Sequence, residues 1–376
     1  MTQSADTILV LNSGSSSLKF GVFVRGSQDE QLLLSGAADE VGRETGSLRI
    51  LGADGALLLQ REHILESQPE ALRAVAKALH EHIESTPAAV GHRIVHGGPH
   101  LREHQRITDE VLQTLEASTH FAPVHIPQAL RLVKDAEAEF AGAAQFACFD
   151  TAFHRTLPEV ARRLPIPARF DEQGVMRYGF HGLSVESVVR RLMPKPPVRV
   201  VVAHLGNGSS VTAVQNGRSI DTSMGLTPTG GVPMSTRSGD LDPGVLLYLM
   251  RNEAMDAYAL ERLLNRESGL AGLSNGESDM VALLSRADQG DAAAELAVNA
   301  FCTGVRKAIG ADAALMGGID LLVFTGGIGE HSEPVRKRIC DGLEFLGGPG
   351  GAMPVVAMRA EEEVQIARHV RTLMSA

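Results

Sequence analysis

HLGNGSSVTAVQNGRSIDTSMGLTPTGGVPMSTRSGDLD, residues 204–242, is the stretch from which the fold can be read. It follows an apolar run at 200–203, of the kind that forms a buried strand. Gly206-Asn207-Gly208-Ser209-Ser210 then turns the chain, and glycines there leave room for backbone N–H groups to face an anion. Residues 211–214 and 218–221 flank Asn216-Gly217, a strong hairpin signal. A second glycine-rich loop carries Thr227, Thr229 and Arg237. Donors and one cation gathered on loops after strands point to a phosphate site. It is not a Walker A loop, because G-x-x-x-x-G-K-[ST] occurs nowhere in the chain.

The same design occurs near the start. A β-rich run at 8–11 ends in Asn12-Ser13-Gly14-Ser15-Ser16, and β character resumes at 18–24 with Lys19 just past the loop. Asn12 and Ser16 are candidate donors and Lys19 a candidate cation; a plain hairpin with an exposed lysine is the competing reading. Two strand, N-x-G-S-S, strand units so far apart suggest two similar halves facing a shared anion, not a short-period solenoid.

Composition narrows the class. The 376 residues allow two domains, and a hydrophobic content of 44% allows a large core. A net charge of −10 and the absence of Trp argue against a nucleic-acid partner or an anionic membrane. No apolar run approaches the roughly 20 residues of a membrane span. Asp6 and the short run at 8–11 do not make a signal peptide. The three cysteines are far apart, which suits a reducing cytoplasm. A hairpin is expected around Asp54-Gly55, and helices at 69–84, 128–140, 184–192, 245–264 and 278–307.

Further candidates sit at element ends. His92, His96, His100 and His104 recur every fourth position, but Gly97-Gly98-Pro99 interrupts any helix that would align them as metal ligands. Arg93 lies between apolar residues, so it is either paired structurally or faces an anionic ligand. His125 falls in a Pro-bracketed loop at 121–128. Asp150 ends an apolar run at 145–149, a common place for a metal or catalytic carboxylate in α/β folds, with capping of the next turn as the alternative. Thr325-Gly326-Gly327-Ile328-Gly329-Glu330 reads as a glycine loop after a strand at 321–324. Glu361, Glu362 and Glu363 read as the charged start of a helix.

Nine motifs in order, VLNSGSSSLKF (10–20), HRIVHGG (92–98), FAPVHIP (121–127), FDTAFHRTLP (149–158), RYGFHG (177–182), HLGNGSSV (204–211), DTSMGLTP (221–228), TRSGDLDP (236–243) and FTGGIGE (324–330), make the chain resemble the acetate/propionate kinases of the actin-like, hexokinase-like phosphotransferases. The resemblance implies an α/β fold of two duplicated actin-like (ribonuclease H-like) domains. Each would have a mixed five-stranded sheet, with a central nucleotide cleft. The expected boundaries are 1–150 plus 361–376 for the first domain and 151–360 for the nucleotide-binding second, with dimerisation helices after Asp242. It further implies a cytoplasmic homodimer that transfers the γ-phosphoryl group of ATP to acetate, giving ADP and acetyl phosphate, with Mg2+ or Mn2+. Propionate is the alternative acceptor, and a non-catalytic nucleotide-binding regulator the alternative class.

By the same resemblance Arg93, His125, Asp150, His181 and Arg237 are catalytic. Val95, Val124, Phe180 and Pro228 would line the acyl pocket beside Arg93. Lys19, His204, Leu205, Gly206, Asn207, Gly208, Asp279, Met280, Gly326, Gly327, Ile328 and Gly329 would bind the nucleotide. Asn12 and Glu362 would serve the metal. The chain departs from the pattern at Val124, where the family has Leu, at Ile126, where it has Asn, and at Val281, where a basic Arg is usual. Losing about one methylene at Val124 shifts acyl discrimination by only about 1–3 kcal/mol, which keeps propionate in play.

Overall fold

The computed structural model describes residues 7–14, 17–27, 29–41, 46–62, 65–83, 86–347 and 353–376. Ser16, a candidate donor in the first loop, lies outside them. The described chain divides into two compact units, residues 1–152 with 361–376, and residues 153–360.

The first unit is built on β1 (Ile8–Ser13), β2 (Ser17–Arg25), β3 (Glu30–Asp39), β4 (Ser47–Gly52), β5 (Leu57–Glu62), β6 (Ala89–Ile94), β7 (Gln105–Arg106) and β8 (Ala144–Phe149), with α1 (Gln68–His82), α2 (Asp109–Ala117) and α3 (His125–Glu139). Its sheet runs β5-β4-β3-β2-β1-β6-β8-β7. Five strands were expected. The mixed five, β3-β2-β1-β6-β8, are present, and the hairpin at Asp54-Gly55 and the two-residue β7 extend them to eight. α1 turns Leu72, Val75 and Leu79 onto one sheet face with Leu132 and Ala136 of α3, against Leu9, Leu11, Phe20 and Val90. A terminal helix, Glu362–Met374, packs against β1 and β6. A Cβ on Gly91 would come within 2.7 Å of both Ile366 and Val370, so glycine is what lets this helix approach the sheet.

The second unit contains α4 (Glu159–Arg162), α5 (Ala168–Glu172), α6 (Gly182–Arg191), β9 (Arg199–Leu205), β10 (Ser209–Gln215), β11 (Arg218–Thr222), α7 (Pro243–Asn252), α8 (Ala257–Arg266), α9 (Gly269–Leu273), α10 (Met280–Asp288), α11 (Ala292–Met316), β12 (Leu321–Thr325), α12 (Gly326–His331), α13 (Glu333–Cys340) and β13 (Val355–Ala357); the terminal helix of the first unit is thus α14. Its sheet order is β11-β10-β9-β12-β13. The duplication is visible strand for strand: three antiparallel strands, then two parallel to the first, in both units. The N-x-G-S-S loop joins the first strand to the second each time. β9 is buried on both faces, as a central strand should be: Val201, Ala203 and Leu205 meet Phe301, Val305 and Ile309 of α11, while Val200 and Val202 meet Val185 and Val188 of α6.

Three of the expected helices differ from expectation. The helix expected from 128 begins at His125, because Pro127 falls in its first turn, where a missing N–H costs nothing. The stretch 245–264 is two helices, broken where Ala254 takes a φ of 52° and Asp256 caps α8. The stretch 278–307 is likewise broken at Gly290, φ 88°, ahead of the Asp291 cap of α11.

Candidate active site

Two clusters of polar side chains stand out, one in each unit. In the first, β1, β6 and β8 run side by side and parallel where they pair, so their C-terminal ends present Asn12, Arg93 and Asp150 together. Arg93 Nη2 donates to Asp150 Oδ2, and Nη1 donates to Asn12 Oδ1 at 3.3 Å. Asn12 Nδ2 donates to Glu362 Oε2 at 3.1 Å and to Glu363 Oε1 at 2.9 Å. Lys19 faces Asn12 across the β1–β2 ladder and is exposed. Glu363 is a member that sequence reasoning passed over; the run of three glutamates read equally well as a helix start, and it is that too.

Charge in this cluster is unbalanced, with three carboxylates against one guanidinium. Burial alone would lower the pKa of Arg93, but Asp150, Glu362 and Glu363 hold it above its ordinary value. Burial, opposed by Arg93 and reinforced by Asp150 and Glu363, pushes Glu362 up to about 7. Asp150 Oδ1 is buried with no hydrogen-bond partner. A divalent cation fits these observations. Carboxylate oxygens are the donors that Mg2+ or Mn2+ takes, and a cation here would use the orphaned oxygen and relieve the crowding on Glu362. Asn12, expected as a metal ligand, spends both ends of its amide inside the cluster.

Among the described residues the histidine series does not converge into one set of ligands. His92 Nε2 donates to Gln145 Oε1 at 2.7 Å, His96 Nδ1 accepts from Gly98 N at 2.8 Å, and His104 Nδ1 accepts from Phe149 N at 3.0 Å. Burial lowers the pKa of His92 to about 4. Its folded pKa is below its unfolded value, so the unfolded chain takes up the proton first and stability falls as pH drops below 6.5 toward 4. Urea titrations at about pH 7.5 and about pH 5 should show His92 costing about 2 kcal/mol at the lower pH, a loss that His92→Gln escapes. An equal acid loss in both proteins would refute this.

In the second unit, His181 precedes α6 in a left-handed conformation, φ 56° and ψ 24°. The turn before it is tight: a Cβ on Gly179, φ 74°, would strike the buried His154 ring. His181 Nδ1 bonds Ser210 Oγ at 3.0 Å, and its ring stacks on that of His204, 4.2 Å between centroids. His204 Nδ1 bonds Ser184 Oγ at 2.7 Å. The loop between β9 and β10 closes with Gly206 N donating to Gly208 O at 3.1 Å. Gly208 is the meeting point, since a Cβ there would lie 3.3 Å from both Arg237 Nη1 and His181 Nε2. Arg237 Nη1 donates to Pro228 O at 3.1 Å. Ser235 Oγ reaches Asn207 Oδ1 at 3.4 Å.

This second arrangement collects one guanidinium, one imidazole and a glycine loop, which suits an oxyanion or phosphoryl group. The glycine motif after β12 is helical, not a loop: Gly326, φ 77°, packs against the Leu205 backbone, and Gly326–His331 forms α12. Gly327 and Ile328 are in its first turn, and Glu330 Oε1 accepts from Gly326 N and Ala360 N. Asp279 caps α10, Met280 is buried in the core, and Val281 is exposed. Phe180 is buried and Pro228 half-buried in this unit, whereas Val95 and Val124, half-buried and exposed, belong to the first, as does His125 at the start of α3. Thr229, expected to face an anion, turns its hydroxyl inward to Asn265.

The model of the acetokinase family matches residues 7–368. The acetate kinase of Nitrobacter hamburgensis is 40% identical, covering 98% of this chain and 96% of its own length. That of Streptomyces coelicolor is also 40% identical, covering 99% and 98%. Among solved structures, an acetate kinase from Porphyromonas gingivalis superposes with a TM-score of 0.86 at 34% identity over 98% of this chain and 100% of that one. A propionate kinase from Francisella tularensis superposes at 0.89 with 32% identity, covering 97% and 98%. Among the described residues no helix is long and apolar enough to cross a membrane.

Proposed function

The chain belongs to the acetokinase family, and from that premise we propose that it is an acetate kinase, transferring the γ-phosphoryl group of ATP reversibly to acetate in the cytoplasm. The observation that supports this most directly is the Gly208 junction, where Arg237 and His181 converge beside a phosphate-type loop. Acetate is already ionised at neutral pH, so no general base is needed. One carboxylate oxygen attacks the γ-phosphorus in line, and the bond to the β–γ bridging oxygen of ADP breaks. The difficulty is electrostatic, an anion approaching an anion, and preorganised cations and donors must supply the rate.

Each unit takes its own part in this reading. Arg237 and His181 donate to the transferring phosphoryl oxygens, with Ser210 holding the His181 ring in place. His204, Leu205, Gly206, Asn207 and Gly208 hold the β/γ-phosphates, and Gly326, Gly327, Ile328 and Gly329 lie along the adenosine. Asp279 and Met280 act there through the start of α10, since the Asp279 side chain is engaged as its cap. In the first unit Arg93 orients the acetate carboxylate, assisted by His125, with Lys19 toward the phosphates. Asp150 and Glu362 hold Mg2+, with Mn2+ as a substitute, and Asn12 aligns Glu362 and Glu363 with Arg93. When bound, the cation neutralises phosphate charge. The acyl methyl meets Val95 and Val124 in the first unit; Phe180 and Pro228 are the acyl-facing candidates of the second.

A hydroxamate assay with MgATP and acetate, propionate or butyrate tests the assignment. The expected result is the highest kcat/KM for acetate. A propionate optimum would move the substrate within the same mechanism, a reading favoured by Val124. No acyl phosphate from any of the three would overturn kinase activity.

We also propose a homodimer. α7 buries none of its residues fully and exposes Val245, Leu247, Tyr248 and Met250, the apolar content of a helix that expects a partner. Sedimentation equilibrium should give twice the 40.0 kDa chain mass, and Tyr248→Asp should halve it. A wild-type monomer would refute the dimer.

A further inference from the structure

The loop that delivers Arg237 is stitched to the end of α8 and the turn after it. Ser238 N donates to Leu264 O at 3.0 Å and Ser268 N to Thr236 O at 3.1 Å. Leu270 N donates to Met234 O at 2.9 Å and Ala271 N to Ser235 O at 3.0 Å. Gly269, φ 61°, permits this contact, because a Cβ would lie 2.1 Å from Met234 O and 2.5 Å from Arg237 O.

One residue joins both ends of that loop, one through its side chain and the other through its backbone carbonyl. Asn265 Oδ1 accepts from Thr229 Oγ1 at 2.6 Å, and the Asn265 carbonyl accepts from Thr236 Oγ1 at 2.8 Å. Its Nδ2 donates to Glu261 O at 3.0 Å, which fixes the amide on the helix. Thr229 follows Pro228, whose carbonyl is the acceptor for Arg237 Nη1. Thr236 precedes Arg237 in the chain. The guanidinium is therefore referenced to α8 twice, once through its own backbone and once through the carbonyl it binds.

We propose that Asn265 is a positioning residue for Arg237, holding the guanidinium at the angle needed for phosphoryl transfer. This rests on the assignment of Arg237 to the transfer step. Asn265 itself touches no substrate. Its contribution is to remove slack from a cation whose value depends on being preorganised: a misplacement of about 1 Å far from the chemistry can cost about 10²-fold in rate.

The test is a double-mutant cycle in the hydroxamate assay, with thermal midpoints recorded for every variant. Asn265→Ala and Thr229→Val should each lower kcat about tenfold while KM for MgATP changes less than about twofold. Thr229→Ser, which keeps the hydroxyl, should restore most of the rate. Thr229→Val serves if the Asn265→Ala variant does not fold; Asn265→Asp is no rescue, because it sets a carboxylate oxygen where Nδ2 now donates to the Glu261 carbonyl. In an Arg237→Ala background, Asn265→Ala should cost less than about twofold more, because the group it positions is gone. A tenfold loss persisting in that background, or wild-type kcat for both Asn265→Ala and Thr229→Val, would overturn the proposal. An Arg237→Ala enzyme with unchanged turnover would instead overturn the assignment of Arg237 on which it rests.

Discussion

Arg93→Ala should lower kcat about 10³-fold, about 4 kcal/mol of transition-state stabilisation, and should also destabilise the fold. The two losses have different origins. The guanidinium is the only cation in a cluster with Asp150, Glu362 and Glu363 among the described residues, and it is bonded directly to Asp150. Removing it strands a carboxylate that is 1% exposed and already has one unpartnered oxygen. Breaking a buried pair in this way costs about 3–5 kcal/mol, more than exposed pairs are worth. The double variant Arg93→Ala with Asp150→Asn should recover most of the thermal midpoint, because no charge is left unpaired, while turnover stays low. Arg93→Lys should recover little of either, since an ammonium cannot span Asp150 and Asn12 as the planar fork does. Rates from the hydroxamate assay, read beside thermal melts of the same samples, decide it. Wild-type turnover in Arg93→Ala, or recovery of turnover in the double variant, would remove Arg93 from the reaction.

Gly208→Val should reduce kcat by about 10²-fold or more with little change in stability. Gly208 does not have a positive φ, so its backbone accepts a side chain and strain is not the cause. The obstacle is the space in front of it. A Cβ at that position lies 3.3 Å from both the Arg237 guanidinium and the His181 imidazole, and the two valine methyls extend beyond it. Both groups would have to withdraw from the loop they flank. Gly208→Ala needs only a few tenths of an ångström from each and should cost about tenfold. The graded series, with ATP affinity followed by equilibrium binding, separates displacement of the two donors from collapse of the loop. A valine variant as active as the alanine one would mean that neither donor works from its observed position.

The repeat was the most legible part of the chain. Asn216-Gly217 forms the expected hairpin, with both residues at positive φ, and the two N-x-G-S-S loops occupy the same step of two matching sheets. Local turn chemistry and apolar runs decide such features, and both are written in a few adjacent residues. Side-chain commitment was not legible in the same way. The Thr229 hydroxyl could have faced an anion, yet it is claimed by Asn265, far along the chain. Glu363 looked like a helix-start charge and is also half of the grip on Asn12. The break at Ala254 was hidden because no glycine or proline marks it. The first two are settled by tertiary partners that no window of sequence contains.

The helix α14 has a consequence for the order in which the molecule can be made. Domains generally fold as units as they leave the ribosome, the N-terminal one first. Here the Asn12 amide waits for carboxylates 350 and 351 positions downstream. Gly91 likewise waits for Ile366 and Val370 to cover it. The strands of the first unit are synthesised early but cannot be sealed until the whole second unit has been translated, so the later unit is free to finish first. A chain interrupted before residue 361 would carry an intact glycine loop at 206–208 but neither Glu362 nor Glu363. On the proposed assignment it would keep the phosphate loop but lack both carboxylates that Asn12 holds, so incomplete translation products would be silent rather than wasteful of ATP.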